Sequence, residues 1–179
     1  PDARLVHAYE FPEYLDGVES SADGETAVGV MQGAARVFDT ATGEVRFAVP
    51  HGAGYPRRYK LSPSGQYLAT TTLRTMTVWS VATGESVATL SVGHKFFDRF
   101  AFTLDERRLV LSQTVRDEVL RVWDIETDTL VAEVQGGIFA ATPQGVVHAV
   151  LPRDGSTDGL IEVRLLGEDT PLSAFEPPE

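Results

Sequence analysis

The octet VWSVATGE at residues 78–85 does not stand alone. VFDTATGE occupies residues 37–44 and VWDIETDT residues 122–129, and the same frame carried forward lands on VRLLGEDT from Val163. The reference points Val37, Val78, Val122 and Val163 are therefore 41, 44 and 41 residues apart. A second set of matches keeps nearly the same spacing. SADGETAVG begins at Ser21, SPSGQYLAT at Ser62, TLDERRLVL at Thr103 and TPQGVVHAV at Thr142, at intervals of 41, 41 and 39. A period near 40 marks an array of supersecondary units, none of which can bury its own faces without a neighbour.

Within each unit the signals are for strands. β-branched and aromatic runs of a few residues alternate with Gly, Pro, Asp and Ser turns, and no segment has a convincing helical period. In the second unit, residues 57–62, 66–72, 75–81 and 85–91 read as four successive strands, so each unit is predicted to be a four-stranded antiparallel meander. The recurring octet is then a third strand with its hairpin turn. Gly43 and Gly84 sit where φ can be positive, and Asp128 and Asp169 fall at the same place in the later units, Asp tolerating that conformation better than most residues.

These residues resemble the WD-repeat β-propeller family. The third unit carries Gly93 and His94 about 29 residues before Trp123 and Asp124, with FAFTLDERRLVLS between them. The other units keep less of the pattern: Trp79 is followed by Ser80, the first unit has Phe38 and Asp39, and the fourth has Arg164 and Leu165. The resemblance implies an all-β fold, a β-propeller of four-stranded blades at residues 14–50, 55–91, 96–135 and 138–176. It also implies an internal, structural hydrogen-bonded set, carried over to His94, Ser112, Asp117 and Trp123, with Ser112 one place from the ungapped register and Trp79 as the counterpart of Trp123. DARLVHAYE aligns with TGEVRFAVP, so residues 3–9, within 1–10, read as an extra N-terminal outer strand. That orphan strand and the initial Pro1 favour the C-terminal part of a larger propeller. The competing readings are half of a ring completed by a second copy and a four-bladed closure.

Composition narrows the classes. At 179 residues and 42% hydrophobic content the chain suits one compact repeat array, and no apolar run approaches the roughly 18 residues of a membrane helix. Neither a signal segment nor an anchor is recognised, and the cytoplasm is the default location. Cysteine is absent, which removes disulfides and thiolate chemistry. The formal charge of −11 repels a phosphate backbone at long range, so no nucleic acid and no membrane partner is expected. Only Lys60 and Lys95 are lysines, and with abundant Ala, Gly and Val this Arg bias points to a GC-rich bacterial genome.

Length variation locates a candidate surface. The separations between second-strand and third-strand anchors are 11 (Ala27 to Phe38), 11 (Leu68 to Trp79), 14 (Leu109 to Trp123) and 16 (His148 to Arg164). The extra residues fall in SQTVRDEV and PRDGSTDG, and the links between units vary too. In a meander both kinds of connection emerge at the same end, and in repeat proteins such a variable rim is often the binding face. GYPRRYK (54–60) and KFFDRF (95–100) occupy equivalent links. With Arg116 they supply the partner-binding candidates Tyr55, Arg57, Arg58, Phe96, Phe97, Arg99 and Arg116, of types enriched in interface hot spots. Packing between blades competes for the aromatics, Tyr59 and Phe100 in particular, and internal ion pairs or an acidic or phosphorylated ligand compete for the arginines.

Motifs for chemistry are weak. Asp154, Ser156 and Asp158 begin a calcium-loop pattern, but Leu165 stands where the bidentate Glu belongs. His7, His51, His94 and His148 lie in different units without metal-ligand spacing. No catalytic residue, metal or cofactor is assigned. The expected function is a non-enzymatic scaffold that binds a protein partner or self-associates to complete a ring, the rival being an enzyme or small-ligand propeller using channel residues.

Overall fold

The computed structural model describes residues 16–31, 33–50, 58–72, 75–91, 99–113, 119–135, 138–142, 145–150, 161–165 and 171–175. These form four separate four-stranded antiparallel sheets and, among the described residues, no helix. Blade 1 contains β1 (Asp16–Ser20), β2 (Thr26–Met31), β3 (Ala34–Asp39) and β4 (Val45–Ala48). Blade 2 contains β5 (Arg58–Leu61), β6 (Tyr67–Thr71), β7 (Thr75–Ser80) and β8 (Ser86–Ser91). Blade 3 contains β9 (Arg99–Phe102), β10 (Arg108–Gln113), β11 (Val119–Asp124) and β12 (Thr129–Gln135). Blade 4 contains β13 (Ile138–Thr142), β14 (Gly145–Val150), β15 (Ile161–Leu165) and β16 (Pro171–Phe175). Strand order follows chain order in every sheet, so each blade is a simple meander. The extra outer strand expected at residues 3–9 lies outside the described residues. No helix is long and apolar enough to cross a membrane among them.

The repeat register read from the sequence is the register of the sheets. Ala27 pairs with Phe38, Leu68 with Trp79, Leu109 with Trp123 and His148 with Arg164, each directly across the second and third strands. A further regularity lies between the third and fourth strands. All four blades shift register at one place, between Val37 and Phe38, Val78 and Trp79, Val122 and Trp123, and Val163 and Arg164. A bulge there bends the outer strand and steepens its twist, which interrupts the outer edge as a template for another strand.

Burial falls from the middle of each blade to its rim. Leu68, Ala69 and Thr70 on β6 are all buried, so both faces of the second strand are covered, and such a strand reads as a continuous apolar and hydroxyl run. The outer strands β4 and β8 bury one side chain each, Phe47 and Ala88. Full burial of a side chain such as Leu68 contributes about 1.5–3 kcal/mol.

The chain divides after Gly93 into two compact units, blades 1 and 2 in the first and blades 3 and 4 in the second. In the first unit, Val28, Val30, Ala35, Val37, Phe47 and Val49 of blade 1 form one core with Leu61, Leu68, Trp79 and Val81 of blade 2. The Phe47 and Trp79 rings are 6.0 Å apart and tilted by 41°. The Ala22 amide donates to the Pro63 carbonyl at 2.8 Å, and Lys60 Nζ lies 3.0 Å from Glu19, so backbone and charge also tie the two blades. In the second unit, Val110 and Val122 pack with Val146, against which Ala132 and Phe139 also rest. Each unit thus seals the valine side of one blade against the following blade, as the repeat period requires.

Side chains hold the turns at one end of the blades. The Ser21, Ser62 and Thr103 hydroxyls accept the amides of Thr26, Tyr67 and Arg108 at 3.0, 3.1 and 3.1 Å across the first hairpin. At the second hairpin, Asp39 accepts the amides of Ala41 and Thr42, Ser80 that of Thr83, and Asp124 that of Thr127. Gly43 and Gly84 have φ of 75° and 71°, and Asp128 takes 53° at the same position, as expected from the octet. Gly65 needs its glycine twice over. Its φ is 76°, and a Cβ there would lie 2.8 Å from Thr26 of the neighbouring blade.

Candidate interaction surface

The variable connections are at one end of the blades, opposite those turns. Second and third strands are joined by residues 32–33, 72–74, 114–118 and 151–160, lengthening from blade 1 to blade 4, while blade-to-blade links shorten from 49–57 and 92–98 to 136–137. Arg58 opens β5 and Arg99 opens β9, both at this loop end. They are register equivalents: Arg58 pairs with Thr71 and Arg99 with Ser112. Both arginines are exposed, over hydroxyl residues that are buried. The Thr71 hydroxyl donates to the Arg58 carbonyl at 3.4 Å, fixing the start of β5. On the adjoining loop, Thr72 and Thr75 share a hydroxyl contact of 2.9 Å.

Arg58 belongs to the first compact unit and Arg99 to the second. Tyr55, Arg57, Phe96, Phe97 and Arg116 lie outside the described residues, as do His94, Asp117, Asp154, Ser156 and Asp158. The packing alternative holds for Tyr59, which is half-buried against the core shared by blades 1 and 2 and faces Gly17. Phe100 is buried as well.

The internal set implied for blade 3 needs a correction. Trp79 donates from Nε1 to Thr70 Oγ1 at 2.9 Å, two residues along β6 from its cross-strand partner Leu68. The same step from Leu109 in blade 3 reaches Leu111. Ser112 is one residue further on and faces the other side of the sheet, because side chains alternate along a strand. Trp123 Nε1 is buried and has no acceptor among the described residues, so Ser112 does not serve it. The offset of one place noted in the sequence was the signal. Thr70, which performs the role in blade 2, was missed because TTT at residues 70–72 offers three hydroxyls and only the pleat selects one.

Aspartates at the turn end are structural. The Arg46 guanidinium, with the Thr42 amide, holds Asp39 down to about 2. The Thr127 amide lowers Asp124, and the Ser21 and Thr103 hydroxyls lower Asp23 and Asp105. The carboxylate of the Trp-Asp pair in blade 3 thus caps a hairpin.

This architecture recurs widely in solved structures, of which 1109 chains match. One, the crystal structure of a eukaryotic initiation factor, is 19% identical with a TM-score of 0.64, the match covering 93% of this chain and 45% of that one. Another, the structure of U3-55K, is 16% identical with a TM-score of 0.64, covering 92% of this chain and 52% of that one. The chain thus spans about half the length of these two structures. No family model and no curated protein matches. At these identities the likeness establishes fold, and a fold shared so broadly does not select a function. The chain is an all-β protein built of propeller-type blades.

Proposed function

We propose that this chain is a WD-repeat-type scaffold without enzymatic activity, whose loop end recruits a protein partner. The observation that carries the reading is the pair Arg58 and Arg99. They occupy one register position in two blades, both exposed, and neither has an ion pair among the described residues. Arg is among the residue types enriched in interface hot spots. The resemblance in the Gly-His and Trp-Asp dipeptides and the propeller-type blades support a scaffold role by analogy.

The test is charge reversal. Arg58→Glu combined with Arg99→Glu is expected to abolish capture of the partner recovered by cross-linking to the unaltered protein, with the unfolding transition unchanged. Undiminished capture by the doubly reversed protein would overturn the reading.

A further inference from the structure

Blades 1 and 2 are joined by ties that each need two particular residues. The Ala22 amide donates to the Pro63 carbonyl, Lys60 meets Glu19, and the Phe47 ring lies beside Trp79. Two glycines of blade 2 stand where a side chain would crowd blade 1. A Cβ on Gly65 would come 2.8 Å from Thr26, and one on Gly84 would come 3.3 Å from the Phe47 ring. These approaches set the backbone of one blade directly against side chains of its neighbour.

The repeat register shows what stands at the same positions one unit further along the chain. Pro63 takes the place of Ala22, and a proline has no N–H to donate. Glu19, Lys60 and Ala101 are register equivalents, pairing with Val28, Ala69 and Val110 in turn. One repeat on, the two charges of the ion pair are thus an ammonium and a methyl group. Ala88 takes the place of Phe47, so the ring is gone. Glu106 and Asp128 replace Gly65 and Gly84: they keep the positive φ, at 58° and 53°, but each carries a Cβ. The strands recur without change, whereas the residues that make these ties do not.

In a repeat array, stability is close to a sum of unit stabilities and nearest-neighbour terms, so the ties at each junction decide which units melt together. We propose that the chain has a built-in parting line at the division after Gly93: blades 1 and 2 unfold as one cooperative body, and blades 3 and 4 as another. One body can then lose its structure while the other keeps it. Partial unfolding is thereby a conformational state of this protein, separate from full denaturation.

The chain has two tryptophans, Trp79 in the first unit and Trp123 in the second, so each unit carries its own reporter. Urea unfolding of the full chain is followed by fluorescence in Trp123→Phe, which leaves Trp79, and in Trp79→Phe, which leaves Trp123. Adding Gly65→Ala is expected to lower the Trp79 midpoint by about 0.5–1 M and to leave the Trp123 midpoint within about 0.1 M. Leu120→Ala, which opens a cavity at a fully buried site in blade 3, is expected to do the reverse, by about 1–2 M. If that cavity leaves the second unit unfolded from the start, Trp79 should still show its cooperative transition. Hydrogen exchange gives a readout with both tryptophans in place. Gly65→Ala should quicken exchange at the amides of residues 28–30 and 68–70 and leave those of residues 110–111 and 120–122 as they are in the unaltered protein. Midpoints that move together at both tryptophans, or exchange that quickens in both units at once, would overturn the proposal.

Discussion

Blades 2 and 3 carry the same tryptophan at the same register, and treat it differently. Trp79 and Trp123 are 8% and 5% exposed, lie across from Leu68 and Leu109, and sit at the same bulge. Blade 3 keeps the fuller dipeptide pattern, with Gly93, His94 and Asp124, yet its indole nitrogen has no acceptor among the described residues. Blade 2 has Ser80 in place of the aspartate, and its indole is satisfied by Thr70. Likeness to a repeat motif and completion of its hydrogen bonds are therefore separate properties. A dipeptide is local, whereas the acceptor comes from another strand and depends on the pleat. The comparison also bears on energy, because an unpaired buried donor forfeits its hydration with nothing in return.

The sharpest way to break the comparison is to exchange the acceptors. Thr70→Val keeps shape and removes the hydroxyl, and is expected to destabilise the protein by about 1–3 kcal/mol in urea unfolding, the cost of leaving a buried group unsatisfied. Leu111→Thr makes the reverse change. It sacrifices buried methyl groups but offers Trp123 an acceptor, so its cost should be smaller than that of Leu120→Thr, an equally buried leucine on the opposite face. Equal costs at Leu111 and Leu120 would show that the indole in blade 3 gains nothing from a hydroxyl there.

A weaker contrast concerns the first hairpins of blades 1 and 2. Gly24 and Gly65 have φ of 75° and 76°, but a Cβ at Gly24 meets nothing within 4 Å, while one at Gly65 meets Thr26. Gly24→Ala is expected to cost about 1 kcal/mol from backbone conformation alone, and Gly65→Ala more, through the lost fit between blades. Thermal unfolding of the two variants, side by side, reads the difference as an inter-blade contribution.

The smallest effect is at the second hairpins, where Asp39 is held by a guanidinium and Asp124 chiefly by an amide. Because Asp39 is depressed in the folded state, its contribution is present above the ordinary carboxylate range, near pH 4, and is lost as pH falls toward about 2. Arg46→Gln should move the Asp39 midpoint upward in an NMR titration and leave Asp124 in place. A midpoint unmoved by that substitution would assign the shift to the turn amides.

Much of the fold was open to reading along the chain. The repeat at Val37, Val78, Val122 and Val163 located the third strands, and the anchor pairs chosen by spacing proved to be cross-strand partners in all four blades. Periodicity carries this because each blade solves the same burial problem with the same pattern. The bulge beside Trp79 and Trp123 was not legible, since the sequence at Ala88 and Val87 does not distinguish a regular pair from a skipped residue. The candidate surface was legible as a rim, because loop lengths are counted along the chain. The ion pair at the turn end was not: only the fold sets Asp39 beside Arg46.

Strand number, strand order, the positive-φ turn positions and the end on which the variable loops gather all follow from local spacing and turn chemistry, which act between near neighbours in the chain. The choice of Thr70 over its two neighbours, the lack of an acceptor for Trp123 Nε1 among the described residues, the closeness of Gly65 to Thr26 and the equivalent register of Arg58 and Arg99 came only with the folded molecule. Those depend on which face a residue takes and what lies across a blade or between blades, and such distances are set by packing among residues far apart in the chain.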